Sequence, residues 1–321
     1  MTRVLYGVEN DFRDVTEQAL RLCESGNGIL MIPSEDEQRA ELFGDFHYGK
    51  QKTIVALFGN NGNNTTNTNQ GIVYNAGQPA FIPLDNILQE KIKTIFPIGN
   101  PETYLQKIHS KLTFTGDIKD EYPEQLMAVS FIKPTDKVLE LGANIGRNTC
   151  VIASILEDSA NLTTLETDSI EALSKNRNAN NFSFKIINAA LSKRKLFQRN
   201  WITVSADTAP GPDWFAVQTV SYQDILSTSN NPTIPFDVLV ADCEGALYYI
   251  VYDFPEMFSF DKNSGLKTII VENDYGSMEQ KIFVDHIFRL NGFNLVYNKP
   301  GGVPYSWLPC KGICFYQVWQ R

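Results

Sequence analysis

The stretch Val138-Leu139-Glu140-Leu141-Gly142-Ala143-Asn144-Ile145-Gly146-Arg147-Asn148-Thr149 decides the fold. Val138, Leu139 and Leu141 read as a buried strand, Gly142 as a tight turn, and the residues after Gly146 as a helix. In an open α/β sheet, ligands bind outside the carboxyl ends of such strands. Glu140 is placed there to accept hydrogen bonds from an ammonium group. A dinucleotide fingerprint, G-x-G-x-x-G, would need glycine at Asn144 and Arg147. Both glycines are missing, so a nicotinamide cofactor is disfavoured.

Working outward, strands and helices alternate from Tyr122 to the C-terminus. YPEQLMAVSFI (122–132) reads as a helix with Pro123 in its first turn. LTTLETD (162–168) ends a second strand at Glu166, 26 residues beyond Glu140. A carboxylate there matches the two vicinal hydroxyls of a ribose. KIINAAL (185–191) ends a third strand on Asn188, Ala189 and Ala190, small or polar residues suited to an adenine ring. FDVLVAD (236–242) is nearly unbroken apolar, as a strand covered on both faces is. It runs into Asp242-Cys243-Glu244-Gly245. KTIIVEND (267–274) brings Glu272 and Asp274 to the next strand end. Carboxylates at strand ends beside a glycine turn are costly unless solvated, paired or used. QKIFVDHIFRLNG (280–292) reads as a helix, and FNLVYN and FYQVWQ as closing strands, joined through residues 299–311 as an edge hairpin.

Residues 1–100 read differently, as a small β-rich accessory domain. Candidate strands are 28–32, 53–58, 71–74 and 80–82, with a short amphipathic helix over 16–23. The tract GNNGNNTTNTNQG (59–71) reads as an exposed hairpin loop. A connector spans 101–119, and the α/β domain 120–321. For the first domain, the sequence leaves oligomerisation and acceptor positioning open.

Composition narrows the function. The 321 residues carry 28 Lys and Arg against 37 Asp and Glu, a net charge of −9. So acidic a chain is a poor general binder of phosphate backbones, and no nucleic-acid partner is expected. No apolar run reaches about 18 residues, so no membrane span or membrane partner is expected. The N-terminus lacks the apolar core of a secretory signal. Five cysteines, with Cys310 and Cys314 as a lone C-x3-C, fit a reducing compartment rather than a disulfide framework. A cytoplasmic location is expected, in the host if the chain is viral.

In order along the chain, GANIGRNT, LETD, NAAL, ADCEGAL, VEND and NGFNLVYN resemble the motifs of the FkbM-like S-adenosylmethionine-dependent methyltransferases, over roughly residues 120–321. The resemblance implies a class I methyltransferase fold: a Rossmann-like, mostly parallel sheet with an antiparallel edge hairpin. It implies S-adenosyl-L-methionine as donor and O-methylation of a sugar, glycan or other small molecule. Carried over by position, Gly142, Ala143, Asn144 and Gly146 cradle the donor, with Glu140 beside them. Glu166 holds the ribose, Asn188 and Ala189 lie near adenine, and Asp242 lies near the methyl group. Tyr122 and Glu124 match a position that closes over the donor. Leu247 stands where the family often has a second Glu. Asp242, Glu244 and Glu272 are the candidate catalytic carboxylates, acting as a base or by holding Mg²⁺ or Mn²⁺. The opening segments YGVENDFRDVT and LFGDFHYGKQKTIVALFG resemble those of large DNA virus proteins of unknown function. Two rivals remain: a methyltransferase-like binding or structural protein, and a protein or nucleic-acid methyltransferase.

Overall fold

A computed structural model describes residues 2–26, 28–44, 46–47, 49–58, 70–89, 101–227, 236–259, 265–302 and 308–321. The chain divides into two compact units, 1–107 with 296–298, and 108–295 with 299–321.

The first unit is built of two small antiparallel sheets. One has the order β2-β1-β5-β6, from β1 (Arg3–Val8), β2 (Asp11–Asp14), β5 (Thr53–Phe58) and β6 (Gln70–Tyr74). The other has the order β3-β4-β7, from β3 (Glu24–Gly26), β4 (Ile29–Ile32) and β7 (Ala80–Pro83). Helices α1 (Thr16–Leu22) and α2 (Asp36–Phe43) belong to the same unit. Alternating residues Val4, Tyr6, Leu30, Ile32, Ile54 and Ala56 are buried in one core, as the period of a strand requires. Sequence reading missed β1, β2, β3 and α2. Most of the Asn/Thr-rich tract, residues 59–69, lies outside the described residues.

Helix α3 (Pro101–His109) runs across residue 107, where the chain passes from the first unit to the second. The second unit holds α4 (Tyr122–Phe131) and is organised by a seven-stranded sheet. Its strands are β8 (Val138–Leu141), β9 (Leu162–Glu166), β10 (Lys185–Asn188), β16 (Val238–Ala241), β17 (Thr268–Glu272), β18 (Asn294–Lys299) and β19 (Tyr316–Gln320). Their order is β10-β9-β8-β16-β17-β19-β18. Strands β10 to β17 run parallel, and β19 lies antiparallel to β17. That order, with its reversal between β8 and β16, is the class I methyltransferase fold, as expected. Every residue of β8 and β16 is buried, which explains their unbroken apolar sequence.

Helices α5 (Arg147–Ile155) and α6 (Ile170–Ala179) follow β8 and β9; α7 (Tyr222–Ser227) and α8 (Leu247–Asp253) flank β16; α9 (Met278–Leu290) follows β17. Helix α9 shows how sequence sets local structure. The Ser277 hydroxyl caps it by accepting from the Gln280 N–H at 3.4 Å. Val284 and Phe288, four apart, face the core against Phe293 and Trp319. Gly292, with φ +80°, ends it.

Between β10 and β16 the chain makes an excursion that sequence reading left blank. β11 (Ala190–Leu191) pairs with β15 (Thr219–Val220). Strands β12 (Leu196–Arg199), β13 (Ile202–Ser205) and β14 (Phe215–Val217) form a three-stranded antiparallel sheet. Asn200 and Trp201 make the two-residue turn, with φ of +46° and +61°, the conformation such hairpins favour.

Candidate functional site

The site grows from adjacent rows of residues across the sheet. Thr164, Glu140, Val240 and Ile270 sit side by side in register, and so do Leu165, Leu141, Ala241 and Val271 in the next row. Successive strand residues point to opposite faces. Two cavities lie at the carboxyl end of the sheet: Leu141 and Leu165 line one, Glu140, Val240, Ala241 and Ile270 the other, and Gly142 and Asp242 border both.

The larger cavity, about 350 Å³, is bordered by Gly142, Asn144, Glu166 to Ser169, Ala189 to Leu191, Asp242 and Glu244. The hairpin supplies its far wall through Asn200, Trp201 and Phe215. The volume is that of a small-molecule site. Four carboxylates line it (Glu166, Asp168, Asp242 and Glu244), and no Lys, Arg or His does among the described residues.

Gly142 is required by a backbone crossing. Its φ is +85°, and a Cβ there would lie 1.6 Å from the Asp242 carbonyl oxygen. Its N–H and that of Ala143 donate to the Leu165 carbonyl, at 3.0 and 3.2 Å. Asn144 stands in the left-handed region at φ +48°. Its N–H donates to Glu166 Oε2 at 2.6 Å, while Glu166 Oε1 accepts from the N–H groups of Thr167 and Asp168, each at 2.8 Å. Glu166 thus organises the loops around the cavity as well as lining it.

Asp242 directly follows β16. Burial pushes its carboxyl well above the usual range, with Asp274 and Glu244 adding to the effect. Glu244, at φ +56°, turns into the larger cavity. Burial, then Asp274 and Glu166, raises its pKa to about 8. The Glu244 carbonyl accepts from the Thr203 N–H at 3.0 Å, tying the hairpin to this turn. Asp274 braces the turn from beneath: its Oδ1 accepts from the Gly245 N–H at 2.8 Å. Burial lifts Asp274 to about 6, against backbone hydrogen bonds that lower it.

The smaller cavity is lined by Glu121, Glu124, Glu140, Asn148, Asp242 and Glu272, with apolar Met127, Val240 and Ile270. Glu140 is buried, and its Oε2 accepts from the Thr164 hydroxyl at 2.7 Å. Burial raises it to about 8. Glu121 pairs with Arg147 at 3.1 Å, and burial, with Glu124 beside it, still pushes it up to about 7.

The expected site residues therefore separate. Gly142, Asn144, Glu166, Ala189, Asp242 and Glu244 border the larger cavity, while Glu140, Gly142, Asp242 and Glu272 border the smaller. Ala143 is buried beneath the turn, and Gly146 is the left-handed start of α5. Asn188 ends β10 exposed to solvent and lines neither cavity, because alternation turns it away where Ala189 turns in. Glu244 does not join Asp242 and Glu272. The carboxylate oxygens that cluster with those two, all within 4.8 Å of one another, belong to Glu124 on α4. Sequence reading missed Glu121, the bracing role of Asp274 and the hairpin wall. The EYPE start of α4 was the available signal for Glu121.

No family model and no curated protein matches the sequence. Solved structures with similar chain paths include an O-methyltransferase described as putative from Klebsiella pneumoniae, 14% identical, covering 74% of this chain and 94% of that one, with a TM-score of 0.35. An O-methyltransferase from Bacillus cereus in complex with SAH is 15% identical, covering 69% and 90%, with a TM-score of 0.34. TomG from Streptomyces achromogenes, an O-methyltransferase in complex with SAM, is 14% identical, covering 67% and 88%, with a TM-score of 0.35.

Proposed function

We propose that this chain is an S-adenosylmethionine-dependent methyltransferase that acts on a hydroxyl of a sugar, glycan or other small molecule. The observation that carries this is the charge of the larger cavity: four carboxylates and no cationic side chain among the described residues, at the point where strand order reverses. Such a lining disfavours a pyrophosphate and favours a cation, whose presence would ionise the Asp242 and Glu244 carboxyls that burial otherwise keeps protonated. S-adenosylmethionine is a cation-bearing nucleoside, and the residues fit it: a glycine–asparagine turn, a carboxylate after β9, and small Ala189 and Ala190 after β10. The order of GANIGRNT, LETD, NAAL, ADCEGAL and VEND, similar to the FkbM-like enzymes, supports a hydroxyl acceptor.

The donor supplies a methyl group already activated on a sulfonium. What remains for the protein is alignment and proton removal. Glu166 would hold the ribose hydroxyls of a bound donor, and the Gly142–Asn144 turn would flank its nucleoside. Asp242 takes the proton of the acceptor hydroxyl. Its raised pKa makes it a stronger base, and a nearby cation favours its ionised form. Trp201 and Phe215 on the hairpin wall would offer flat, apolar surface to a bound ligand.

The test is a transfer assay. The protein is incubated with methyl-labelled donor and panels of sugars, glycans and hydroxylated small molecules, with nucleic acid and protein panels alongside. Label in a hydroxylated small molecule supports the reading. Label confined to nucleic acid or protein, or no donor binding at all, overturns it.

A further inference from the structure

We propose that the smaller cavity is a site for one divalent cation of the hard, oxygen-binding class, Mg²⁺ or Mn²⁺, held by Glu124, Asp242 and Glu272 with the side-chain oxygen of Asn148. The first observation is geometric. Glu124, Asp242 and Glu272 each offer a carboxylate oxygen, and these lie within 4.8 Å of one another. Oxygens around one such ion sit at about 2.0–2.2 Å from it, so opposite ligands are about 4.2 Å apart. A small contraction brings all three onto one centre.

The second observation concerns atoms left without a partner. Asn148 and Glu124 are each 7% exposed, and both line the cavity. Asn148 Oδ1 and Glu124 Oε2 make no hydrogen bond in the structure. A buried acceptor left unpaired is costly, and a cation at the centre would satisfy both. The other carboxylates there are engaged, Glu121 with Arg147 and the Asn148 N–H, and Glu140 with the Thr164 hydroxyl. No Lys, Arg or His lines the cavity among the described residues, so no side-chain cation neutralises the three.

The guest is small. The cavity holds about 10 Å³, the room of one water-sized sphere. Donors that are all oxygen, without sulfur or imidazole, select a hard ion over zinc or copper. The α4 register places Glu124 here, and the left-handed turn at Glu244 takes that residue away. The ion site stands apart from the function proposed above, but its role rests on that reading. Asp242 borders both cavities, so an ion on it would lie beside the acceptor hydroxyl and lower its pKa.

The test uses the full chain, stripped with a chelator and dialysed. Mn²⁺ is titrated with detection by electron paramagnetic resonance, and S-adenosylhomocysteine binding is measured by calorimetry on the same samples. The wild type is expected to bind one Mn²⁺. Glu124→Gln and Glu272→Gln, both nearly isosteric, should each weaken it at least about tenfold, while Glu244→Gln keeps the site. No Mn²⁺ binding by the wild type, or full binding in Glu124→Gln, overturns the proposal. Competition between Mn²⁺ and S-adenosylhomocysteine also overturns it, by giving the cavity to the donor's ammonium group. Mn²⁺ binding without S-adenosylhomocysteine binding upholds the ion site and sinks the methyl-transfer reading instead.

Discussion

Glu166 Oε2 accepts the Asn144 backbone N–H at 2.6 Å, so the carboxylate ending β9 holds the turn that ends β8. Two loops that border the ligand cavity are thereby fixed by one side chain. Hydrogen bonds to a charged group contribute about 1.5–3 kcal/mol. Glu166→Ala should weaken S-adenosylhomocysteine binding by about that amount and also lower the melting temperature of the ligand-free protein. Calorimetry and thermal denaturation read both. Unchanged affinity would remove Glu166 from the site.

Gly142→Val should abolish donor binding. Its Cβ would meet the Asp242 carbonyl oxygen at 1.6 Å, in a backbone conformation that side chains rarely adopt. The loss should include stability, because the ends of β8 and β16 must part to admit the side chain. A variant with wild-type melting and binding would contradict the crossing.

Asp242→Asn separates binding from chemistry. The change is nearly isosteric and removes one of several mutually repelling carboxylates, so folding should survive and donor affinity should stay near wild type. Loss of a general base or ion ligand lowers turnover by about 10²–10⁴. Steady-state kinetics on the acceptor, with donor affinity measured separately, checks this. Wild-type turnover would shift the role to Glu244 or Glu272.

Stability should fall as pH rises through neutrality. Glu121, Glu140, Glu244 and Asp274 are pushed to about 7, 8, 8 and 6 from ordinary values of 4.5, 4.5, 4.5 and 3.8. Between those limits the folded state binds more protons than the unfolded one, so stability declines with pH. The contribution is fully present below about pH 4 and lost through about pH 6–8. The metal-free protein should melt higher at about pH 5.5 than at about pH 8.5. The reverse order would contradict the burial of these carboxyls.

Much of this was legible in the sequence, for physical reasons that also mark where reading stopped. β8, β16 and β17 are covered on both faces, so their apolar runs stand out. Glu166 is legible as a residue of the cavity because it is the carboxylate that ends the apolar strand after the glycine turn, at the carboxyl edge of the sheet. Glu124 was marked only by the family resemblance, as a residue over the donor; its place beside Asp242 and Glu272 comes from the packing of α4, which nothing local in the sequence shows. Glu244 looked like their partner because it is two residues from Asp242. The left-handed backbone at Glu244 sends it to the other cavity. The hairpin wall escaped because its strands are three or four residues long and their burial does not alternate, running from buried Leu196 and Phe197 to exposed Phe215, so neither period nor apolar runs announce them.

Calorimetric titration of the wild-type chain with S-adenosylhomocysteine, repeated on Gly142→Val, tests the central claim most directly. The account predicts one site with micromolar or tighter affinity in the wild type, a rise in melting temperature on binding, and neither effect in the variant. No heat and no thermal shift in the wild type at micromolar ligand would contradict it, and would make the cavity a binding surface for some other cationic ligand.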